Sequence, residues 1–169
     1  MRTLDARLEP LERVVEACAQ VIFAGGTLHF PSDTSYCIGR DPYRAGDLDA
    51  DAMIVATPAE FLEYAPGNPL AILASKRLLP GPVTLLVRET LLGLRVPDEP
   101  LARAIADATG PLAVSHAEHT KIQPDLSIEN GPTRYDREAS IVDLTGRYAR
   151  LVREGALPYD RLAALVPLQ

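Results

Sequence analysis

Hydrophobic positions near the start of the chain change from a helical to a strand-like spacing. Apolar residues from Leu11 to Ile22 recur every three or four positions, which predicts an amphipathic helix, and Gly25-Gly26 provides a natural stop. Residues 27–30 then predict a strand that ends at Pro31, because proline fixes φ and lacks a backbone N–H. A helix followed closely by a strand is typical of an α/β protein.

The alternation continues to the C-terminus. Thr57-Pro58-Ala59-Glu60 resembles a capping box with proline at the first helical position, and it predicts a short helix to about Tyr64. The remaining patterns predict helices at 69–79, 100–108 and 159–165 and strands at 52–56, 83–88, 93–96, 112–115, 139–143 and 150–153. Strands 83–88 and 93–96 are expected to pair antiparallel, and residues 116–137 to form a long loop. The chain is thus predicted to be one α/β domain over 1–169, with a twisted mixed sheet and a concave face.

Length and composition agree with one globular domain. A chain of 169 residues buries roughly 70% of its unfolded surface. The absence of 18 consecutive apolar residues predicts no membrane span, and the charged first residues predict no secretory signal. Two cysteines are too few for a disulfide framework. Cys18 is expected to be a buried free thiol and Cys37 a packed small residue rather than a reactive one. The simplest expectation is a cytoplasmic protein.

The net charge of −6 argues against a general nucleic-acid binder, because such proteins need a basic face. A locally basic groove stays open, since five basic residues fall within one short stretch: Lys76, Arg77, Arg88, Arg95 and Arg103. The alternative is that these are scattered surface residues offset by carboxylates. RNA binding is therefore a secondary hypothesis.

Four hydroxyl side chains follow Pro31 closely: Ser32, Thr34, Ser35 and Tyr36. Each hydroxyl both donates and accepts hydrogen bonds, so such a cluster just past a strand suits the polar atoms of a ligand. From the residues alone, an ordinary corner between two strands is the competing interpretation.

Other candidate groups favour structural roles. His116, Glu118 and His119 fall short of a zinc-site spacing, so we expect loop histidines and no metal. His29 alternates into a strand and is expected to be half-buried with its hydrogen bonds satisfied. Asp33 is expected to close an Asx-turn rather than to act as a base.

Residues 30–39, Phe-Pro-Ser-Asp-Thr-Ser-Tyr-Cys-Ile-Gly, resemble the Phe-Pro-Thr-Asp-Thr-x-Tyr-Gly-Leu signature of the YrdC-like family, which includes threonylcarbamoyl-AMP synthases. Further strings resemble family motifs in the same order: residues 80–85 (Pro-Gly-Pro-Val-Thr-Leu), 94–97 (Leu-Arg-Val-Pro), 110–112 (Gly-Pro-Leu), 140–143 (Ser-Ile-Val-Asp) and 152–155 (Val-Arg-Glu-Gly). Because the order is kept from about residue 10 to residue 157, the chain is identified as a member of this family.

Two family motifs are missing. The family's Lys-x-Arg follows a helix that the acidic loop 41–51 replaces here, and neither lysine of the chain, Lys76 or Lys121, has arginine two places on. The family's Ser-x-Asn has become Ser115-His116-Ala117. Arg40 and Arg44 lie in the shortened loop, but its many aspartates favour a solvated loop over a new phosphate clamp.

The resemblance implies binding of L-threonine and of ATP with Mg²⁺, to make threonylcarbamoyl-AMP for tRNA modification. Carried over by position, it implies threonine-side contacts from Ser32 and Ser140 and nucleotide-side contacts from Thr84, Arg95, Ser115 and Arg153, with Arg95 as a phosphate or carboxylate partner.

Two hypotheses follow from the missing motifs. The first is a non-catalytic or weakly active module that binds a nucleotide, a small metabolite or RNA, including double-stranded RNA. The second is an active L-threonylcarbamoyladenylate synthase whose phosphate clamp has been rebuilt. The loss of the cationic motifs favours the first, because electrostatic stabilisation of developing charge usually contributes more than any other effect to such catalysis.

Overall fold

Ten strands form one twisted mixed sheet in the computed structural model, which describes residues 1–44 and 46–169. In chain order the strands are β1 Arg2–Asp5, β2 Leu28–Pro31, β3 Tyr36–Arg40, β4 Ala52–Ile54, β5 Val83–Leu86, β6 Gly93–Arg95, β7 Leu112–His116, β8 Leu126–Glu129, β9 Ser140–Asp143 and β10 Arg150–Arg153. The helices are α1 Leu11–Phe23, α2 Pro58–Glu63, α3 Pro69–Arg77, α4 Pro100–Thr109 and α5 Tyr159–Leu165. The α/β prediction is confirmed.

Across the sheet the strands lie in the order β1-β8-β2-β3-β7-β4-β6-β5-β9-β10. The pairs β1–β8, β8–β2, β4–β6 and β5–β9 are parallel, and the other neighbours are antiparallel. The expected antiparallel pairing of the strands at 83–88 and 93–96 is confirmed, because Leu85 of β5 is in register with Leu94 of β6.

Two hydrophobic clusters hold the helices to the sheet. One joins α1 and α4 to β2, β7 and β8 through residues such as Val14, Phe30 and Ile105, and the other surrounds β5, β6 and β9 with residues of α2, α3 and α5. At the start of α2 the Thr57 hydroxyl accepts from the Glu60 N–H at 3.1 Å, which confirms the predicted cap. Within the described residues no helix is long and apolar enough to cross a membrane.

The prediction of one continuous loop over 116–137 is wrong. Ala117–His119 form a single 3₁₀ turn, and Leu126–Glu129 form β8, a strand between β1 and β2 in which Leu126 and Ile128 are fully buried. Only two apolar residues alternate in β8, which is too short a pattern to recognise in sequence. Its partner β1 begins with exposed residues, and the sequence pattern predicts no strand there.

Candidate functional site

A cavity of about 190 Å³ opens beside the start of β3 and the end of β7. Thr34 and Ser35 reach it from the turn before β3, and Thr84 reaches it from β5. The other residues that line it are Cys37, Asp51, Ala52, Arg95, Val114, His116, His119, Glu138, Ala139, Ile141 and Arg153. The hydroxyl-rich segment after Pro31 therefore lies at a cavity, together with residues far away in sequence.

The turn before β3 is closed by Ser32. Its fully buried hydroxyl accepts from the N–H groups of Thr34 and Ser35 at 3.2 Å each, and it donates to the Ser35 carbonyl at 2.9 Å. Ser32 thus supports the cavity wall from behind without lining it. The expected Asx-turn at Asp33 is wrong, because the Ser32 hydroxyl closes this turn and the Asp33 carboxylate faces elsewhere.

Asp33 and Arg95 form a buried ion pair beneath the cavity. Arg95 Nη2 lies 2.5 Å from Asp33 Oδ1, and the two side chains are 0% (Asp33) and 6% (Arg95) exposed. The second Asp33 oxygen accepts from the Asp98 N–H at 2.8 Å, and Arg95 Nη2 also donates to Thr34 Oγ1 at 3.2 Å. Charge-assisted hydrogen bonds of this kind fix both partners in place. The guanidinium of Arg95 therefore already has a carboxylate partner within the chain.

Ser115 and Ser140 are two further predicted contact residues, and their hydroxyls also form hydrogen bonds within the protein. Ser115 Oγ lies 3.4 Å from Asp51 Oδ2, which also accepts from the His116 N–H at 3.0 Å. Ser140 is fully buried, donates to the Leu157 carbonyl at 2.6 Å and accepts from the Gly155 N–H at 2.9 Å. Neither residue lines the cavity.

Arg153 lies at the rim of the cavity with part of its side chain in solvent. Its Nη1 is 3.2 Å from Glu138 Oε2, and its Nη2 donates to the Ala139 carbonyl at 2.7 Å. The other oxygen of Glu138 is 3.9 Å from His119 Nε2. Glu138 thus lies between the arginine and a histidine that also lines the cavity.

His116 and His119 stack on each other at the cavity, with ring centroids 4.6 Å apart. The sequence predicts only loop histidines, and it does not predict that both line the cavity. The informative sign is the place of His116, directly after Ser115 in the segment that replaces the family's Ser-x-Asn. Among the described residues no group of three His, Cys, Asp or Glu side chains is arranged to hold a metal ion.

The structure brings together Thr84, Arg95 and Arg153 at one cavity and places Ser32, Ser115 and Ser140 in its supporting wall. Whether any of these six residues binds a ligand stays a prediction. The hydroxyl of Thr84 makes no hydrogen bond within the described part of the chain, so it is available to a ligand in the cavity.

His29 and the cysteines take the places expected of them. His29 is half-buried, with Nδ1 2.7 Å from Ser127 Oγ. Cys18 and Cys37 are both buried and free. Burial raises the pKa of the Cys18 thiol to about 12, and burial is also the main cause that raises the pKa of Cys37.

We expect neither thiol to react in the folded protein at pH 8. A raised pKa leaves the thiol protonated at that pH, and the thiolate is the nucleophile. Titration with Ellman's reagent should detect almost no thiol in buffer and both cysteines in denaturant. Rapid release of one equivalent from the folded protein, abolished by Cys37→Ala, would instead identify Cys37 as a reactive thiol of the cavity.

Comparison with known proteins finds relatives at low identity, and no protein-family model matches the chain. A Methanocaldococcus jannaschii protein named "Putative threonylcarbamoyl-AMP synthase" is 26% identical over 127 residues, which cover 62% of this chain and 61% of the relative. Escherichia coli YciO, an uncharacterized protein, is 22% identical and aligns with 86% of this chain and 91% of its own length.

Two solved structures share the fold. The structure of P. abyssi Sua5 complexed with L-threonine has a TM-score of 0.80 at 21% identity, and the match covers 99% of this chain and 62% of Sua5. The crystal structure of E. coli YciO has a TM-score of 0.70 at 21% identity, with 91% and 94% covered. The chain therefore spans about three fifths of the length of the Methanocaldococcus relative and of Sua5, and nearly all of YciO.

Proposed function

We propose that this chain, a divergent member of the YrdC-like family, binds a small zwitterionic amino acid such as L-threonine in its cavity and makes little or no threonylcarbamoyl-AMP. Both the proposed ligand class and the proposed low rate of synthesis are inferred from the balance of charge around the cavity.

The cavity is lined by as many carboxylates as arginines. Its cations are Arg95 and Arg153, and its anions are Asp51 and Glu138. Arg95 is also paired with the buried Asp33, and Arg153 is paired with Glu138. With neutral histidines the lining has no net charge, so it supplies no excess of positive charge to a polyanion.

These residues do not fit a nucleotide triphosphate. Acyl-adenylate synthesis needs cations to neutralise the phosphates, and such electrostatic groups are usually worth about a hundredfold or more each in rate. The family's Lys-x-Arg and Ser-x-Asn are absent from the sequence, and the arginines at the cavity already meet carboxylates. A volume of about 190 Å³ is also below the roughly 300–1,000 Å³ typical of sites for drug-sized ligands.

A zwitterionic amino acid suits the same residues. Its carboxylate would replace Glu138 as the partner of Arg153 Nη1, an exchange of one carboxylate for another that keeps the charge of the site balanced. Its ammonium would meet Asp51 or Glu138, and a side-chain hydroxyl would meet Thr84. The complex of Sua5 with L-threonine supports this ligand class, since that protein has the same fold.

RNA binding receives less support and stays a secondary hypothesis. Of the five basic residues that suggest a basic groove, Arg95 is buried in its pair with Asp33. Arg77 and Arg88 donate to the carbonyls of Leu165 and Thr145. Binding of a short RNA duplex, insensitive to L-threonine, would favour RNA as the physiological partner.

Calorimetry with L-threonine tests the ligand assignment. We expect L-threonine to bind more tightly than L-valine, which has a methyl group in place of the hydroxyl. Thr84→Val should weaken the binding of L-threonine roughly two- to tenfold, the value of one hydrogen bond. It should leave the affinity for L-valine unchanged. Thr3→Val, the same change on the exposed face of β1, is the matched control. Equal affinity for the two amino acids would contradict the proposal.

An activity assay tests the chemistry. With ATP, Mg²⁺, bicarbonate and L-threonine, we expect pyrophosphate release at least about a hundredfold below that of an active synthase assayed in parallel. Robust threonine-dependent release would reject the non-catalytic hypothesis and show that another cation has replaced the lost motifs.

A further inference from the structure

A second and larger cavity, of about 620 Å³, lies at the other end of the same strands. It begins at Asp41, directly after β3, and at Pro111, directly before β7, whereas the first cavity lies where β3 begins and β7 ends. The two cavities share no lining residue. We call the second one the Tyr43–Tyr64 groove, after the two tyrosines in its wall.

The groove has the character of a small-molecule site. Its walls are mainly apolar or aromatic, with Met53, Leu91 and Leu92 beside the two tyrosines. Tyr43 and Leu91 are almost completely exposed, at 98% and 106%. A single exposed apolar side chain needs no explanation, but here two border one cavity of ligand size.

The charge of the groove specifies the kind of ligand. Asp41 is the one carboxylate among the lining residues, and no lysine, arginine or histidine is among them. Its Oδ1 accepts from the Tyr43 N–H at 2.9 Å, which holds the carboxylate next to that tyrosine. Burial, the carboxylate of Glu60, Tyr43 and the carboxylate of Glu63 raise the pKa of Tyr64. Burial is the largest of these causes, and the one formally charged residue of the lining is a carboxylate in mainly apolar surroundings.

We propose that the Tyr43–Tyr64 groove is a binding site for a small organic cation, with an apolar body and one protonated amine. The amine would pair with Asp41 and lie near the tyrosine rings, which attract cations through their faces. The apolar body would cover Met53, Leu91 and Leu92. This site is independent of the amino-acid site proposed above.

Three matched probes test the proposal: phenethylamine, phenethyl alcohol and phenylacetate, which carry a positive, a neutral and a negative group on nearly the same body. In an NMR titration of the full chain, we expect phenethylamine to shift the resonances of groove residues. Its affinity should exceed that of the alcohol roughly tenfold, since hydrogen bonds to charged groups are the stronger ones. Phenylacetate should bind most weakly.

Variants separate the charge from the apolar wall. Asp41→Asn should remove the preference for the amine over the alcohol, whereas Asp49→Asn, an exposed carboxylate of the same loop, should keep it. Leu91→Ser should weaken the binding of phenethylamine and of phenethyl alcohol by the same factor. Phenylacetate binding as tightly as the amine, shifts outside the groove, no shifts at all, or a preference that survives Asp41→Asn would each overturn the proposal.

Discussion

Arg95→Met should lower the free energy of unfolding by about 3–5 kcal/mol, the usual cost of leaving one member of a buried ion pair without its partner. Asp33 would stay behind with no exposed surface, and its remaining partner would be the Asp98 N–H. Asp33→Asn should have an effect of similar size, because it leaves the Arg95 guanidinium buried without a counter-charge. Urea unfolding followed by circular dichroism measures both.

The pair of Asp98 and Arg134 provides the control. Its two charged atoms are as close, at 2.6 Å, but its side chains are 29% and 60% exposed. Arg134→Met should therefore cost at most about 1 kcal/mol. The double variant Asp33→Asn with Arg95→Met should be less destabilised than the sum of the single changes, since both charges are gone. Equal effects of Arg95→Met and Arg134→Met would show that burial of the first pair has no energetic consequence.

Gly155→Ala should destabilise the protein by about 1–3 kcal/mol and also weaken amino-acid binding. A Cβ at this position would overlap the Glu138 carbonyl oxygen and stand 2.8 Å from the backbone of Ala139 and Ser140. These are backbone atoms, so they cannot turn aside as a flexible side chain would. Glu138 would move, and with it the carboxylate that meets Arg153 and faces His119 at the rim of the cavity.

Gly146→Ala is the matched control, because its new Cβ would lie 3.6 Å from the nearest atom, an ordinary contact. We expect that variant to have the same free energy of unfolding and the same affinity for L-threonine as the parent chain. Urea unfolding and calorimetry on the two variants make the comparison. If Gly155→Ala is destabilised but binds normally, the Glu138 segment has no part in the site.

Sequence pattern is sufficient where short-range neighbours decide structure. The periodic residues of α1 and the cap of α2 need only their neighbours to be recognised, and the structure contains both. Pattern is insufficient for β1 and β8, because each is short and is stabilised by a partner more than a hundred residues away. A strand of four residues carries too little pattern to reveal such a partner.

The same limit applies to the site. Thr84, Arg95 and Arg153 can be named through the family resemblance, and all three lie at the cavity. The partner of Arg95 cannot be predicted from the sequence, because Asp33 is 62 residues away and its sequence neighbours favour a local turn. Glu138 and His119 are likewise outside any motif, although both line the cavity, whereas His116 occupies a motif position without the family's residue.

The position of β8 between β1 and β2 sets an order of events during synthesis. Helix α1 and strand β2 are made early, but the cluster that they enter also contains Leu126 and Ile128. That core is not complete until residue 129 has left the ribosome, because it includes Leu126 and Ile128 and because β8 is the strand with which β1 pairs. Contacts between such distant residues slow folding and leave strand edges open in the meantime. A nascent chain stalled before β8 therefore exposes apolar residues of this cluster, a surface that a chaperone would cover.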